Sequence, residues 1–200
     1  PPSRIATSPS IGIRSLGTAG NEVSLTFMPS DDISERVIFP ITQTHWHGIE
    51  DARFVEFKDD GKRKFYATYT AYSGDAIRSE FLETTDFVNF RLMPLSGTAA
   101  QNKGMALFPR KINGKFAMIA RQDNENLYLV YSDDLYSWNG GTAILKPQFP
   151  WEFVQIGNCG SPIELEEGWL LLTHGVGPVR KYSIGAALLG CGVAASGMCP

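Results

Sequence analysis

The sequence predicts an all-β protein made of repeated antiparallel sheets, and three observations predict it. Helix-period patterning is missing throughout, and short β-branched and aromatic runs recur between Gly, Pro, Asn and Asp. A strand–turn–strand–strand unit also repeats with a period of roughly 50 residues, a spacing that signals propellers or solenoids. Its grammar is that of a propeller blade of four antiparallel strands.

Taken in order, Ile11 to Leu16, Val23 to Phe27 and Arg36 to Phe39 are the early strands. Arg53 to Phe57 pairs across Lys58-Asp59-Asp60-Gly61-Lys62 with Lys64 to Ala71, because Asp-Gly supplies the positive φ of a tight hairpin. Thr85 to Phe90 completes this first unit. The second unit runs from Pro109-Arg110-Lys111-Ile112 through a turn to Phe116–Arg121, and then to Ser132–Trp138. The third begins at Ser161–Leu165, turns at Glu166-Glu167-Gly168, and continues through Trp169–His174 and Tyr182–Leu189. The recurring Asp-Phe/Leu-x-x-Phe/Trp closes a unit, its Asp capping a tight turn and its aromatic packing between sheets. Residues 1–189 thus form one partial propeller domain. The tail Gly190–Pro200 is small-residue sequence without strand pattern and reads as disordered or non-native.

Two hundred residues suffice for one domain with a sizeable core. A net charge of -3 gives no electrostatic basis for nucleic-acid binding. The longest apolar run, around Ile184 to Leu189, is far shorter than the ~20 residues of a bilayer helix, so no membrane partner is expected. Cys159, Cys191 and Cys199 are odd in number and lack C-x-x-C spacing, which suggests neither a disulfide framework nor zinc and fits a reducing, cytoplasmic setting. The chain opens at Pro1-Pro2 without a methionine and reads as trimmed.

The candidate site centres on Gly48-Ile49-Glu50-Asp51-Ala52-Arg53, where two acids and a base stand at the start of a strand. His45, Trp46 and His47 precede it. Equivalent positions in the next two units are also polar, at Asn102-Lys103 and Asn158-Cys159-Gly160-Ser161. In a propeller, inner-strand mouths converge on one channel, so these residues should share a pocket. His45 and His47 have a metal-like spacing but no matching third ligand, so no metal or other cofactor is expected. Trp46 and Tyr72 are suited either to stacking on a ligand ring or to packing in the core. Asp123-Asn124-Glu125-Asn126 lines a ligand subsite or forms a plain turn.

Gly48-Ile49-Glu50-Asp51, Tyr69-Thr70-Ala71, Leu107–Ile112, Trp151-Glu152, Ile156-Gly157, His174-Gly175-Val176 and Gly185–Leu189 form an ordered set spanning Thr44 to Leu189. That set resembles glycoside hydrolase family 130, the inverting β-mannoside phosphorylases and β-mannosidases. The resemblance implies a five-bladed β-propeller, of which this chain would supply roughly three blades as an internal piece. It implies a β-mannoside oligosaccharide substrate and inorganic phosphate as co-substrate, giving mannose 1-phosphate with inversion. Asp51 matches the catalytic acid, which protonates the glycosidic oxygen through a sugar hydroxyl, with Glu50 and Arg53 in support.

Lys103, Arg121 and His174 resemble the phosphate-binding positions, with Tyr182 as a further contact. A dianion needs such a cradle of charge and forked donors. Lys103 departs from the more familiar Arg and would act as a point charge. Hydrolytic members lose this basic set and use a second carboxylate as base, ~6.5–9.5 Å from the acid. Phosphorolysis is therefore the expected reaction, with hydrolysis or a non-catalytic carbohydrate-binding propeller as alternatives. Unpaired sheet edges also leave room for self-association into a homo-oligomer.

Overall fold

The computed structural model describes residues 13–20, 22–59 and 61–190, and these form three antiparallel sheets packed in succession. The first holds β1 (Ile13–Ala19), β2 (Glu22–Phe27), β3 (Ile49–Asp59), β4 (Lys62–Tyr72), β5 (Ile77–Thr84) and β6 (Asn89–Pro94), in the order β1-β2-β6-β5-β4-β3. The second holds β7 (Ala106–Leu107), β8 (Phe116–Ala120), β9 (Leu127–Ser132) and β10 (Thr142–Leu145) in simple meander order. In the third, β11 (Gln155–Asn158) and β12 (Ile163–Leu165) lie one after the other along one edge of β13 (Gly168–Val176). Its other edge pairs with β14 (Tyr182–Leu189).

The expected hairpin is present. Asp59 pairs with Lys62, and Gly61 at φ 73 supplies the left-handed residue that a two-residue connection needs. The Asp of each unit-closing motif caps its turn as its chemistry predicts, while of the closing aromatics Trp138 packs between sheets and Phe90 packs in the first sheet's own core. Asp86 Oδ1 accepts the N–H groups of Val88 and Asn89, while Asp134 Oδ1 accepts that of Tyr136. Trp138 is fully buried between the first two sheets beside Phe57, Tyr66 and Phe81, and its Nε1 donates to Leu135 O. A second core between the second and third sheets centres on Phe108, Ile119, Leu129, Trp169 and Leu171.

Three strand assignments need correction. Arg36–Phe39 is not a strand: the Arg36 guanidinium instead donates to the carbonyls of Phe87 and Asp31, and holds the segment across the first sheet. Thr85–Val88 is a turn, and the strand begins at Asn89 because the Asp86 carboxylate gathers the preceding amides. The β1–β2 hairpin joins β6, so the first sheet has six strands rather than four. Ile11, Asp60, Cys191 and Cys199, with nearly all of the 190–200 tail, lie outside the described residues.

Candidate active site

The mouths of β3, β7 and β11 meet at one end of the three sheets, and the backbone there departs from regular pairing in each. In β3 the register shifts between Glu50, which faces Thr70, and Arg53, which faces Thr68. Asp51 and Ala52 thus oppose the single residue Tyr69, a β-bulge, and Asp51 adopts φ 59. Ahead of β7, Asn102 and Gly104 take φ 65 and φ 91. Between β11 and β12 the strand breaks at Cys159–Ser161. Bulges re-aim side chains, and here they bring together residues far apart in sequence.

Arg53 lies at the centre. Its Nε donates to both Asp51 oxygens at 3.1 Å, and its Nη2 to Oδ2 at 2.7 Å. Its Nη1 donates to Gly104 O at 3.2 Å and to Asn158 O at 2.9 Å. The Arg53 side chain is 10% exposed and that of Asp51 42%, so the carboxylate presents itself to solvent while the guanidinium does not. Lys103 Nζ reaches Glu50 Oε1 at 3.1 Å, an exposed pair that contributes little to stability.

Arg121 follows β8 directly and is 4% exposed, and its Nε has no hydrogen-bond partner. With the Gln155 amide oriented to suit its neighbours, Oε1 accepts from Arg121 Nη1 at 3.1 Å. Burial pushes the Arg121 guanidinium below its ordinary range and Arg53 adds repulsion, while Tyr182 and Asp51 oppose this. His174 on β13 faces Gly157 on β11. A Cβ at residue 157 would come within 2.5 Å of the His174 ring and 2.6 Å of Arg121 Nη1, so Gly157 is the floor on which both side chains lie. Burial lowers the His174 imidazole below its usual range, and Arg121, Arg53 and Lys103 lower it further against the pull of Asp51. Its Nδ1 touches Cys159 Sγ at 3.8 Å, and its ring tilts against Tyr182 with centroids 5.7 Å apart.

Cationic and donor groups thus converge at close range, with a buried guanidinium N–H unassigned. Such a place favours an anion, because a negative ligand relieves the mutual repulsion and supplies the missing acceptor. The fold brings Lys103, Arg121, His174 and Tyr182 to the same mouth as Asp51, Glu50 and Arg53.

Other predicted residues sit around this centre. Trp46 is 77% exposed at the end of the 3-10 turn Gln43–His45. Tyr72 packs on His47 at 5.5 Å and exchanges backbone hydrogen bonds with His47 and Gly48, which places it beside the start of β3. The Asp123 carboxylate is occupied within its own loop. It accepts from Glu125 N, Asn126 N, Asn126 Nδ2 and Tyr128 OH at 2.6–3.0 Å. Burial opposes these bonds, yet together they hold its carboxyl down to about 2. That is the turn reading, and the carboxylate is a loop staple.

His45 is wholly buried: its Nδ1 accepts from the N–H groups of Ile41 and Thr42, so Nε2 carries the proton and donates to Glu80 Oε2 at 2.9 Å. Among the described residues no group of three or more His, Cys, Asp or Glu is arranged to hold a metal. Sequence reasoning used Gly157 only as part of the resemblance, without a role in the site, and passed over Gln155. A lone glycine within a strand pattern was the available signal for the first, since it marks close approach of another group.

Residues 27–192 match the glycoside hydrolase family 130 model, described as β-1,4-mannooligosaccharide phosphorylase. The chain is 34% identical over 183 residues to a 1,2-β-oligomannan phosphorylase of Thermoanaerobacter sp. (strain X514), covering 88% of this chain and 58% of that protein. It is 31% identical over 159 residues to a β-1,2-mannobiose phosphorylase of Listeria innocua, covering 76% and 43%. A solved β-1,2-mannobiose phosphorylase from Listeria innocua, in complex with β-1,2-mannobiose, superposes with a TM-score of 0.68 at 25% identity over 86% of this chain and 49% of that one. The chain therefore spans about half the length of the relatives it matches. A glycosyl hydrolase from Bacteroides ovatus shares the fold at 15% identity, with a TM-score of 0.66 over 91% of this chain and 67% of that one. With most of its length matched to the family model, and relatives above 30% identity across it, the chain belongs to glycoside hydrolase family 130.

Proposed function

We propose that this site performs phosphorolysis of a β-mannoside, with the three sheets serving as blades of a five-bladed propeller in the cytoplasm. The carrying observation is the buried Arg121 with its unassigned guanidinium N–H, grouped with His174 and Lys103 at the mouth that holds the exposed carboxyl of Asp51. The phosphorylase names of the relatives support the reading.

In this reading phosphate sits on Arg121, His174 and Lys103, with Tyr182 at its edge, and attacks the anomeric carbon. The bond from that carbon to the glycosidic oxygen breaks as the new carbon–oxygen bond to phosphate forms, so configuration inverts. Asp51 gives its proton, through a sugar hydroxyl, to the departing oxygen. The phosphate's remaining proton returns the acid to its starting form. Trp46, Tyr72 and Glu50 border the sugar side.

The test is β-1,2-mannobiose turnover with and without phosphate, with product identified by phosphorus NMR. Mannose 1-phosphate should form only when phosphate is supplied, and Asp51→Asn should lower the rate about 10³-fold, within the range of a lost general acid. Equal cleavage to free mannose in phosphate-free buffer would instead assign the site to hydrolysis.

A further inference from the structure

We propose that Arg53 is a positioning residue that locks the acid to the anion cradle by tying the mouths of all three sheets together. The proposal deepens the phosphorolysis reading and rests on it for its kinetic arm alone.

The geometry separates Arg53 from a ligand-binding arginine. An arginine carries five N–H groups in a fixed fork. In Arg53 the Nε–H and one Nη2–H hold the Asp51 carboxylate, while both Nη1–H groups hold carbonyls. Four of the five directions are thereby occupied, and the side chain is nine-tenths buried. Little remains for substrate. Arg121, at the same mouth, keeps a buried Nε–H without a partner. One arginine has all but one of its N–H directions held by protein, and the other keeps a buried N–H open.

The partners of Arg53 also fit a clamp. Asp51 belongs to the first sheet, Gly104 precedes β7 of the second, and Asn158 ends β11 of the third. Gly104 Cα lies against the Arg121 guanidinium, since a Cβ there would meet it at 3.7 Å. Asn158 adjoins Gly157, the floor under Arg121 and His174, and Cys159, which touches His174. Each carbonyl held by Arg53 is therefore next to a residue that seats the cradle. Thr68, the cross-strand partner of Arg53, adds a parallel tie by donating to Met105 O at 2.5 Å. An acid and a nucleophile site on different sheets must keep their separation to a fraction of an ångström, and a planar fork gripping all three mouths supplies that constraint.

The test compares Arg53→Lys, Arg53→Gln and Asp51→Asn by hydrogen exchange and kinetics on the full chain. Reporters are the amide of Cys159, bonded to Leu172 O, and that of Asn102, bonded to Ile77 O. Arg53→Gln should speed exchange at 102–106 and 158–160 about tenfold, the scale of a lost charge-assisted hydrogen bond, while Phe116–Ala120 stays protected. Arg53→Lys, with one compact donor head, should fall between. Asp51→Asn should leave both mouths protected. In turnover, Arg53→Lys should lower kcat about 100-fold with the mannoside KM held within about twofold.

Unchanged exchange at both mouths in Arg53→Gln and Arg53→Lys overturns the clamp, as does a uniform rise across all three sheets, which marks a merely structural residue. A raised KM with kcat kept overturns it in favour of direct substrate binding. Absence of turnover by the unsubstituted chain counts against the phosphorolysis reading, and the exchange arm still decides the clamp.

Discussion

Two polar clusters, one inside the first sheet and one at the common mouth, use the same residue types to opposite ends. In the first, His45 has both ring nitrogens engaged, and Glu80 Oε2 accepts from His45 and from the Tyr69 hydroxyl at 2.7 Å. Burial pushes the Glu80 carboxyl up, but hydrogen bonds from His45, Tyr69 and Thr44 outweigh it and hold it below its ordinary range. The Tyr69 hydroxyl is pushed well above its range by burial and by Glu80. At the mouth, His174 has only a sulfur contact on Nδ1, and Arg121 keeps an unpartnered Nε. What each leaves open distinguishes the two: His45 is closed off by protein partners, with the unpartnered atom beside it a carboxylate oxygen, Glu80 Oε1, whereas the mouth keeps a cationic N–H open to an acceptor from outside.

The largest expected effect breaks the inner cluster. His45→Ala strands the Glu80 carboxylate in the core, and removing one partner of a buried pair costs about 3 kcal/mol. Thermal and urea unfolding should register that loss. Phosphate affinity of the folded fraction should stay within about twofold, because the lost contacts run to Ile41, Thr42, Tyr69 and Glu80 and not to Arg121, His174 or Lys103. A double variant, His45→Ala with Glu80→Gln, should recover part of the stability, since the stranded charge is gone. The Glu80 shift also fixes the acid limb. Its folded range lies below its unfolded one, so its contribution is fully present above the ordinary carboxylate range and is lost as pH falls through the folded value.

The mouth is tested next by Gly157→Ala. Residue 157 is not in the left-handed region, so a strand accepts alanine there without backbone strain. What the methyl meets is the His174 ring and the Arg121 Nη1, the free ends of side chains that can swing away. The fold should therefore hold while the cradle shifts. Phosphate affinity should drop about tenfold, the low end of overpacking costs, with the unfolding midpoint nearly unchanged. Calorimetric titration with phosphate measures this directly, and unaltered affinity would place the anion elsewhere.

Much of the sheet architecture was legible because its signals are local. Asp86 and Asp134 gather amides two or three residues ahead, and Gly61 turns its hairpin within its own dipeptide. The 36–39 segment was misread because its β-branched composition suggested pairing, while its fate is set by Arg36 donating to Phe87, 51 residues away. Within the site, the polar mouths were legible as equivalent positions in a repeat. The grip of Arg53 on Gly104 and Asn158, 51 and 105 residues distant, leaves no local trace, and neither does the left-handed backbone of Asp51. Nor could spacing tell a saturated histidine from an open one. His45 and His174 differ only in what the fold brings against them.

The smallest expected effect is also the most specific to the mouth, and it concerns the titration of His174. In the free chain its imidazole is lowered by burial and then by Arg121, Arg53 and Lys103, so its proton midpoint by NMR should fall below 6.5, the ordinary histidine value. The stability sign follows. With the folded value depressed, the unfolded chain binds this proton more readily, so the contribution is present above the unfolded value and lost as pH falls through the folded one. An anion seated against Arg121 cancels the repulsion that lowers His174 and should raise its midpoint. Sulfate is the cleaner probe, since its own charge is constant across this range. Binding should then take up protons, and sulfate should bind more tightly as pH falls through the His174 midpoint. The resonance is assigned by its loss in His174→Gln. A midpoint indifferent to saturating sulfate would mean that the open mouth is not an anion site, and the contrast with the inner His45 cluster would lose its functional meaning.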